Sequence, residues 1–119
     1  MTELVRRHFD TLAGAGRLDA GPGRLIRGTA GSRAQGTQVQ FDWRVSGDRI
    51  LAARFLAYGC PWTLATCDWL VAQLPGRGRE APWPGDPHAW AGALATPLER
   101  LGRLLVIEDA LRATLRAWD

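Results

Sequence analysis

The sequence contains no lysine and no asparagine, so all fifteen of its basic residues are arginines. They are spread from Arg6 to Arg116 among twelve acidic residues, and the formal net charge is +3. Nucleic-acid-binding proteins usually gather their basic residues into a continuous run or patch. Because no such run occurs here, we expect the arginines to form a solvated surface and predict no nucleic-acid partner.

Cysteines and long apolar runs are also scarce. Cys60 and Cys67 are the only cysteines, too few for the disulfide framework of a small secreted protein. On one helix they would lie about two turns apart, too far for a disulfide. No apolar run reaches the ~18 residues of a membrane-spanning helix, and the first ten residues lack the apolar segment of a secretion signal. We therefore predict reduced cysteines, no membrane partner and a cytoplasmic location.

The remaining composition is that of an ordinary globular protein, with 46% hydrophobic and 23% charged residues over 119 positions. A chain of this length corresponds to one domain and can bury one hydrophobic core without disulfide or metal support. We therefore predict a single domain over residues 1–119.

The middle of the chain has the alternating pattern of β-strands. Apolar and polar residues alternate over 37–45, and 49–58 has the apolar face of a return strand. Ser46-Gly47-Asp48 between them is typical of a tight turn. The glycine-rich stretch 18–36 is predicted to be loop, with no more than a short strand around 24–27.

Helical periodicity flanks this hairpin on both sides. We predict helices over 3–13 and 61–74, a short helix from 87 to 95, and a long amphipathic helix that starts with a capping box at Thr96–Glu99 and runs to the end. The order helix, strands, helices indicates an α+β fold in which helices pack on one face of an antiparallel sheet.

Cys60 is the residue best placed for chemistry. It follows Tyr58 and Gly59 at a strand-to-helix junction, where the free backbone N–H groups of a helix start favour a thiolate. A thiolate is a nucleophile and a ligand for soft metals, whereas a buried cysteine acts only as a small apolar side chain. The spacing alone leaves both interpretations open for Cys60, but the apolar neighbours of Cys67 favour core packing.

The other titratable residues have weaker patterns. His8 and His88 are far apart, and neither stands at a metal-ligand spacing, so we expect surface or capping roles for both. Glu108 and Asp109 are adjacent on the last predicted helix and do not face each other. We expect them on a solvated face or in a salt bridge to Arg112.

The segment 53–60, Ala-Arg-Phe-Leu-Ala-Tyr-Gly-Cys, resembles the A-R-F-x-x-Y-G-C signature of the IscU/NifU N-terminal family of iron–sulfur cluster assembly scaffolds. Weaker similarities follow the family's order: V-x-x-H-[YF] at 5–9, the G-x-I hairpin at 47–50 and A-E-D-A-[IL] at 107–111. The resemblance implies an antiparallel sheet of about three strands with helices on one face. It also implies a role in iron–sulfur cluster assembly without enzymatic activity.

The ligand positions of that family are mostly replaced in this sequence. The resemblance implies three cysteines, a histidine and an aspartate, of which only Cys60 is kept as a metal ligand. Gln35 and Thr37 stand at the positions of the first cysteine and the aspartate, and Gly102 and Arg103 at those of the histidine and the third cysteine. Since a cluster needs about four thiolate or imidazole ligands, we expect no stably bound cofactor. We also expect Gln35, Cys60 and Arg103 to converge.

Two hypotheses from different classes follow. In the first, the protein is a scaffold-like member that holds iron, zinc or an iron–sulfur cluster transiently through Cys60, or shares a cluster across a dimer. In the second, it is a metal-free interaction module that binds a cysteine desulfurase or another iron–sulfur assembly protein. A thiol enzyme using Cys60 is a third interpretation, which the lack of an evident histidine base disfavours.

Overall fold

The computed structural model describes residues 1–118 and has a three-stranded sheet in the order β1-β2-β3. Strand β1 spans Arg24–Ser32, β2 spans Thr37–Ser46 and β3 spans Arg49–Tyr58. Both neighbouring pairs are antiparallel. The hairpin predicted from the alternating pattern is therefore confirmed.

Strand β1 is longer than the short strand predicted around 24–27, and the loop prediction for the rest of that stretch is wrong at 28–32. Gly28 lies in the middle of β1, opposite Phe41. A Cβ atom at Gly28 would lie only 2.1 Å from the backbone nitrogen of Thr114. The glycine therefore permits a helix to pack directly on the strand backbone, and it does not mark a turn.

Four α-helices accompany the sheet: α1 (Glu3–Thr11), α2 (Pro61–Val71), α3 (Pro87–Leu94) and α4 (Leu101–Arg116). Helix α4 packs across β1 and β2, and α2 packs against β3. Helix α1 lies on α2, and α3 lies on α4. This is the predicted α+β arrangement, with the helices on one face of an antiparallel sheet.

The core lies between the sheet and helices α2 and α4. The rings of Trp43 and Trp118 meet edge to face with their centroids 6.1 Å apart. Cys67 is fully buried on α2, and this burial, helped by the neighbouring Asp68 charge, raises the pKa of its thiol. The apolar residues predicted for the inner face of β2 are all buried: Val39, Phe41, Trp43 and Val45.

Helix starts agree with their local sequence signals except at α4. The side chains of Thr2 and Asp86 cap α1 and α3, at 3.3 and 2.9 Å from the backbone N–H groups three residues on. The capping box predicted at Thr96–Glu99 is wrong. Pro97 has an extended backbone and leads into a 3-10 turn over Leu98–Arg100, and within residues 1–118 the Thr96 hydroxyl has no hydrogen-bond partner.

Helix α4 is the longest helix, with 16 residues. Leu104, Ile107 and Leu111 form its buried face, whereas the neighbouring apolar residue Leu105 is 55% exposed. Adjacent residues lie about 100° apart around a helix, so Leu105 turns away from the sheet when Leu104 faces it. Among the described residues, no helix has both the length and the apolar character needed to cross a membrane.

Candidate functional site

Cys60 lies where β3 has ended and α2 begins, at the N-cap position of the helix. Pro61 fits the first helical position because it needs no backbone donor there. Gly59 brings the chain close to the first turn, since a Cβ atom at this position would lie 3.1 Å from the Thr63 side chain. As a result the Cys60 sulfur lies 3.5 Å from the Thr63 hydroxyl oxygen.

The surroundings of Cys60 favour its thiolate. Partial burial acts in the opposite direction and raises the pKa of the thiol. It is outweighed by the Thr63 hydroxyl, the backbone N–H groups of Thr63 and Trp62, and the Arg103 guanidinium, which stabilise the thiolate, so the pKa of Cys60 lies below its ordinary value. The site therefore holds one partly exposed, activated thiol.

The four residues that the resemblance assigns to replaced ligand positions lie together near Cys60. Gln35 and Thr37, from the β1–β2 turn and the start of β2, share a shallow depression of about 280 Å³ with Gly102 and Arg103 from the start of α4. Arg103 also reaches the Cys60 thiol. The structure thus brings Gln35, Cys60 and Arg103 to one end of the sheet.

The residues at this end do not fit an iron–sulfur cluster or a zinc ion held by one chain. They supply one thiolate, one amide and one hydroxyl, whereas such sites need about four thiolate, imidazole or carboxylate ligands. Among residues 1–118, no group of three or more His, Cys, Asp and Glu side chains is placed to hold a metal ion. The Arg103 guanidinium would also repel a cation but stabilises an anion.

A second polar contact was missed by the sequence analysis. His8, expected at the surface or in a cap, lies 2.6 Å through Nδ1 from Asp68 Oδ2. The other carboxylate oxygen of Asp68 accepts the Gly14 backbone N–H at 2.7 Å. Asp68 is only 4% exposed, and the pair joins α1 to α2. Asp68 is the single acidic residue within the apolar run of α2, and this could have signalled a buried polar contact. Its partner His8 could not be identified in this way, because the two residues are sixty positions apart.

A third buried contact lies on the sheet face opposite the helices. Asp42, predicted to face away from the core, is 1% exposed. Its oxygens accept from Arg27 Nε at 2.7 Å and from the Leu18 backbone N–H at 3.2 Å. Burial raises the pKa of Asp42, but the hydrogen bonds from Arg27, Leu18 and Gln40 and the Arg27 charge outweigh it and lower that pKa.

The chain is similar in sequence to one known family and to one known protein. The model of the family described as NifU-like N terminal domain matches residues 1–82. The iron–sulfur cluster assembly protein IscU of Plasmodium falciparum (isolate 3D7) is 21% identical over 115 residues, which cover 97% of this chain and 71% of that protein.

Two solved structures have a similar fold. One, from Fervidobacterium islandicum AW-1, is described as an iron–sulfur cluster assembly scaffold for the SUF system; it has a TM-score of 0.74 at 14% identity, over 97% of this chain and 96% of that one. The other is the N-terminal part of a nitrogen-fixing NifU-like protein from Brucella abortus, with a TM-score of 0.66 at 16% identity, over 98% and 92% of the chains. At these identities the similarity establishes the fold.

Proposed function

This chain belongs to the NifU-like N-terminal domain family, and from this membership we propose that it functions in iron–sulfur cluster assembly as a scaffold-like, non-enzymatic protein of the cytoplasm. The family match over residues 1–82 and the similarity to an iron–sulfur cluster assembly protein support the role. Cys60 carries the proposal at the level of the site. It is the family ligand that remains, and its surroundings lower the pKa of the thiol.

A single thiolate limits how this protein takes part in assembly. One chain supplies too few ligands to retain iron, zinc or a cluster stably. Under this proposal such cargo is held only transiently, with Cys60 as one ligand and the remaining ligands supplied by a second copy or by an assembly partner.

A second candidate is a metal-free interaction module that binds a cysteine desulfurase or another iron–sulfur assembly protein. The position of Arg103 favours it. A guanidinium beside the Cys60 thiol stabilises negative charge and opposes the binding of a cation. The protein would then contribute its surface and its thiolate to a complex without holding metal.

Metal analysis of the purified protein, followed by anaerobic addition of iron and sulfide, tests the first candidate. Wild-type protein should take up iron in a form that Cys60→Ser abolishes and Cys67→Ala preserves, because Cys67 is buried in the core. Absence of metal together with binding to a purified cysteine desulfurase would favour the second candidate. Absence of both metal uptake and desulfurase binding would exclude both.

A further inference from the structure

We propose that the Cys60 end of the sheet is a docking surface for an acidic segment of a protein partner, recognised by arginines that have no acidic partner within residues 1–118. We call these residues the arginine rim. The inference rests on the proposed function, because it describes the partner that the same site would receive. The rim consists of Arg17, Arg33, Arg100 and Arg103.

Two of the rim arginines are stacked on aromatic residues that flank Cys60. The guanidinium carbon of Arg33 lies 5.1 Å from the ring centroid of Tyr58, two residues before Cys60. That of Arg100 lies 5.7 Å from the ring of Trp62, two residues after it. Stacking holds the plane of a guanidinium in place and leaves the N–H groups at its edge available for a carboxylate.

A cleft of about 320 Å³ lies on the side of the β1–β2 turn away from Arg103. Arg17, Arg33, Gln38 and Tyr58 are among its lining residues, and of the described residues that line it none is acidic. Two guanidinium groups in a concave site make its potential positive. The cleft therefore suits a carboxylate, which accepts two parallel hydrogen bonds from an arginine.

The rim also contains hydrogen-bond donors that the fold leaves unused. Within residues 1–118, the Nε atoms of Arg100 and Arg103 are buried and have no acceptor, and no rim arginine forms an ion pair. A buried donor without a partner is unfavourable. Arg44 Nε, near the other end of β2, is a further buried donor without an acceptor in this part of the chain, whereas Arg27 is paired with Asp42.

The arrangement favours an acidic protein over a nucleic acid. Arg17 and Arg33 line one depression, whereas Arg103 lines another on the far side of the β1–β2 turn. Nucleic-acid strands are bound along continuous basic grooves whose aromatic rings stack bases. Here the arginines are separate, and those on Tyr58 and Trp62 occupy the rings.

The test is fluorescence anisotropy with a labelled peptide of eight glutamates at low ionic strength. Wild-type protein should bind it, and the double variant Arg33→Gln/Arg103→Gln should weaken binding by about tenfold or more. The matched control is Arg49→Gln, an exposed arginine at the other end of β3, about 30 Å away. It should change binding by less than about twofold.

Three results would overturn the proposal: no binding by the wild-type protein, equal weakening by Arg49→Gln, or tighter binding of a single-stranded DNA oligonucleotide of the same charge. Thermal unfolding checks that each variant folds, and Arg17→Gln, in an exposed segment, provides a second rim variant. Peptide binding is measured without iron, and iron uptake is measured without peptide. Loss of one with retention of the other therefore distinguishes failure of this proposal from failure of the proposed function.

Discussion

The buried carboxylates and the arginine rim differ in whether their polar groups have partners. Asp42 and Asp68 are almost completely buried, and each is hydrogen-bonded through both oxygens. At the Cys60 end, Arg100 and Arg103 keep buried donors without acceptors among residues 1–118. The first arrangement pairs its polar groups within the fold, whereas the second leaves guanidinium donors without acceptors among these residues.

This difference separates residues that stabilise the fold from residues available for function. Each buried carboxylate connects segments distant in sequence, since Asp68 holds α1 and Gly14 against α2 while Asp42 holds Leu18 and Arg27 against the sheet. Removing an acceptor there leaves buried donors unpaired. The rim arginines also contact distant segments, through Tyr58, Trp62 and Cys60, but they form no ion pair among residues 1–118. Their substitution should therefore change binding more than stability.

The largest expected change is the gain of a cluster by a variant with the ligand set restored. Gln35→Cys, Thr37→Asp, Gly102→His and Arg103→Cys together place the family's ligands around Cys60. Anaerobic addition of iron and sulfide should then give about one cluster per chain, because four or more ligands converge. Visible absorption and iron analysis measure it. Wild-type protein, which keeps Cys60 but lacks the other four ligands, is the control, and if the variant forms no cluster, the assignment of the ligand positions is wrong.

Asp42→Asn should lower the free energy of unfolding by about 3 kcal/mol, because the charge opposite Arg27 and part of its hydrogen bonding are lost. Urea denaturation followed by circular dichroism measures this. The control is Asp48→Asn: Asp48 is 77% exposed and 4.0 Å from Arg49 Nε, so its loss should cost less than about 0.5 kcal/mol. Equal losses in the two variants would contradict the role given to burial.

The contribution of Asp42 should depend on pH. Its pKa in the folded protein lies below its ordinary value, so its stabilising effect is fully present above the unfolded-state pKa of about 3.9. The effect is lost as the pH falls from there through the folded-state pKa. Urea unfolding from pH 7 downward should show wild-type protein and Asp42→Asn converging at acidic pH. A constant difference between them would argue against the lowered pKa.

The smallest expected effect is on the rate at which iodoacetamide modifies the two thiols. Iodoacetamide should modify Cys60 in the folded protein, whereas Cys67, fully buried and with a raised thiol pKa, should react only after unfolding. Arg103→Gln removes one of the contacts that lower the pKa of Cys60, so the rate near neutral pH should fall about threefold. Mass spectrometry after timed quenching measures both. Arg49→Gln, at the distant end of β3, should leave the rate unchanged.

Local patterns in the sequence were enough for much of the architecture. The alternation over 37–45 predicted β2 because a strand with one buried face repeats every two residues. Asp86 predicted the start of α3, where its side chain accepts the Ala89 N–H at 2.9 Å. The salt bridge predicted for Glu108 and Arg112 is present at 3.5 Å. Each of these features depends on residues close together in the chain.

Tertiary structure decided whatever depends on segments that meet only after folding. Gly28 looked like a loop residue, yet it is a strand residue because Thr114 of α4 packs where a side chain would be. His8 has no signal of its partner Asp68, sixty positions away. The arginines look scattered along the chain, but folding places Arg17, Arg33, Arg100 and Arg103 at the Cys60 end. Sequence alone thus determined most of the elements and identified Cys60 as a candidate site residue, because hydrophobic period and a strand-to-helix junction are local features. Packing decided which charges are satisfied, because that depends on what approaches from elsewhere in the chain.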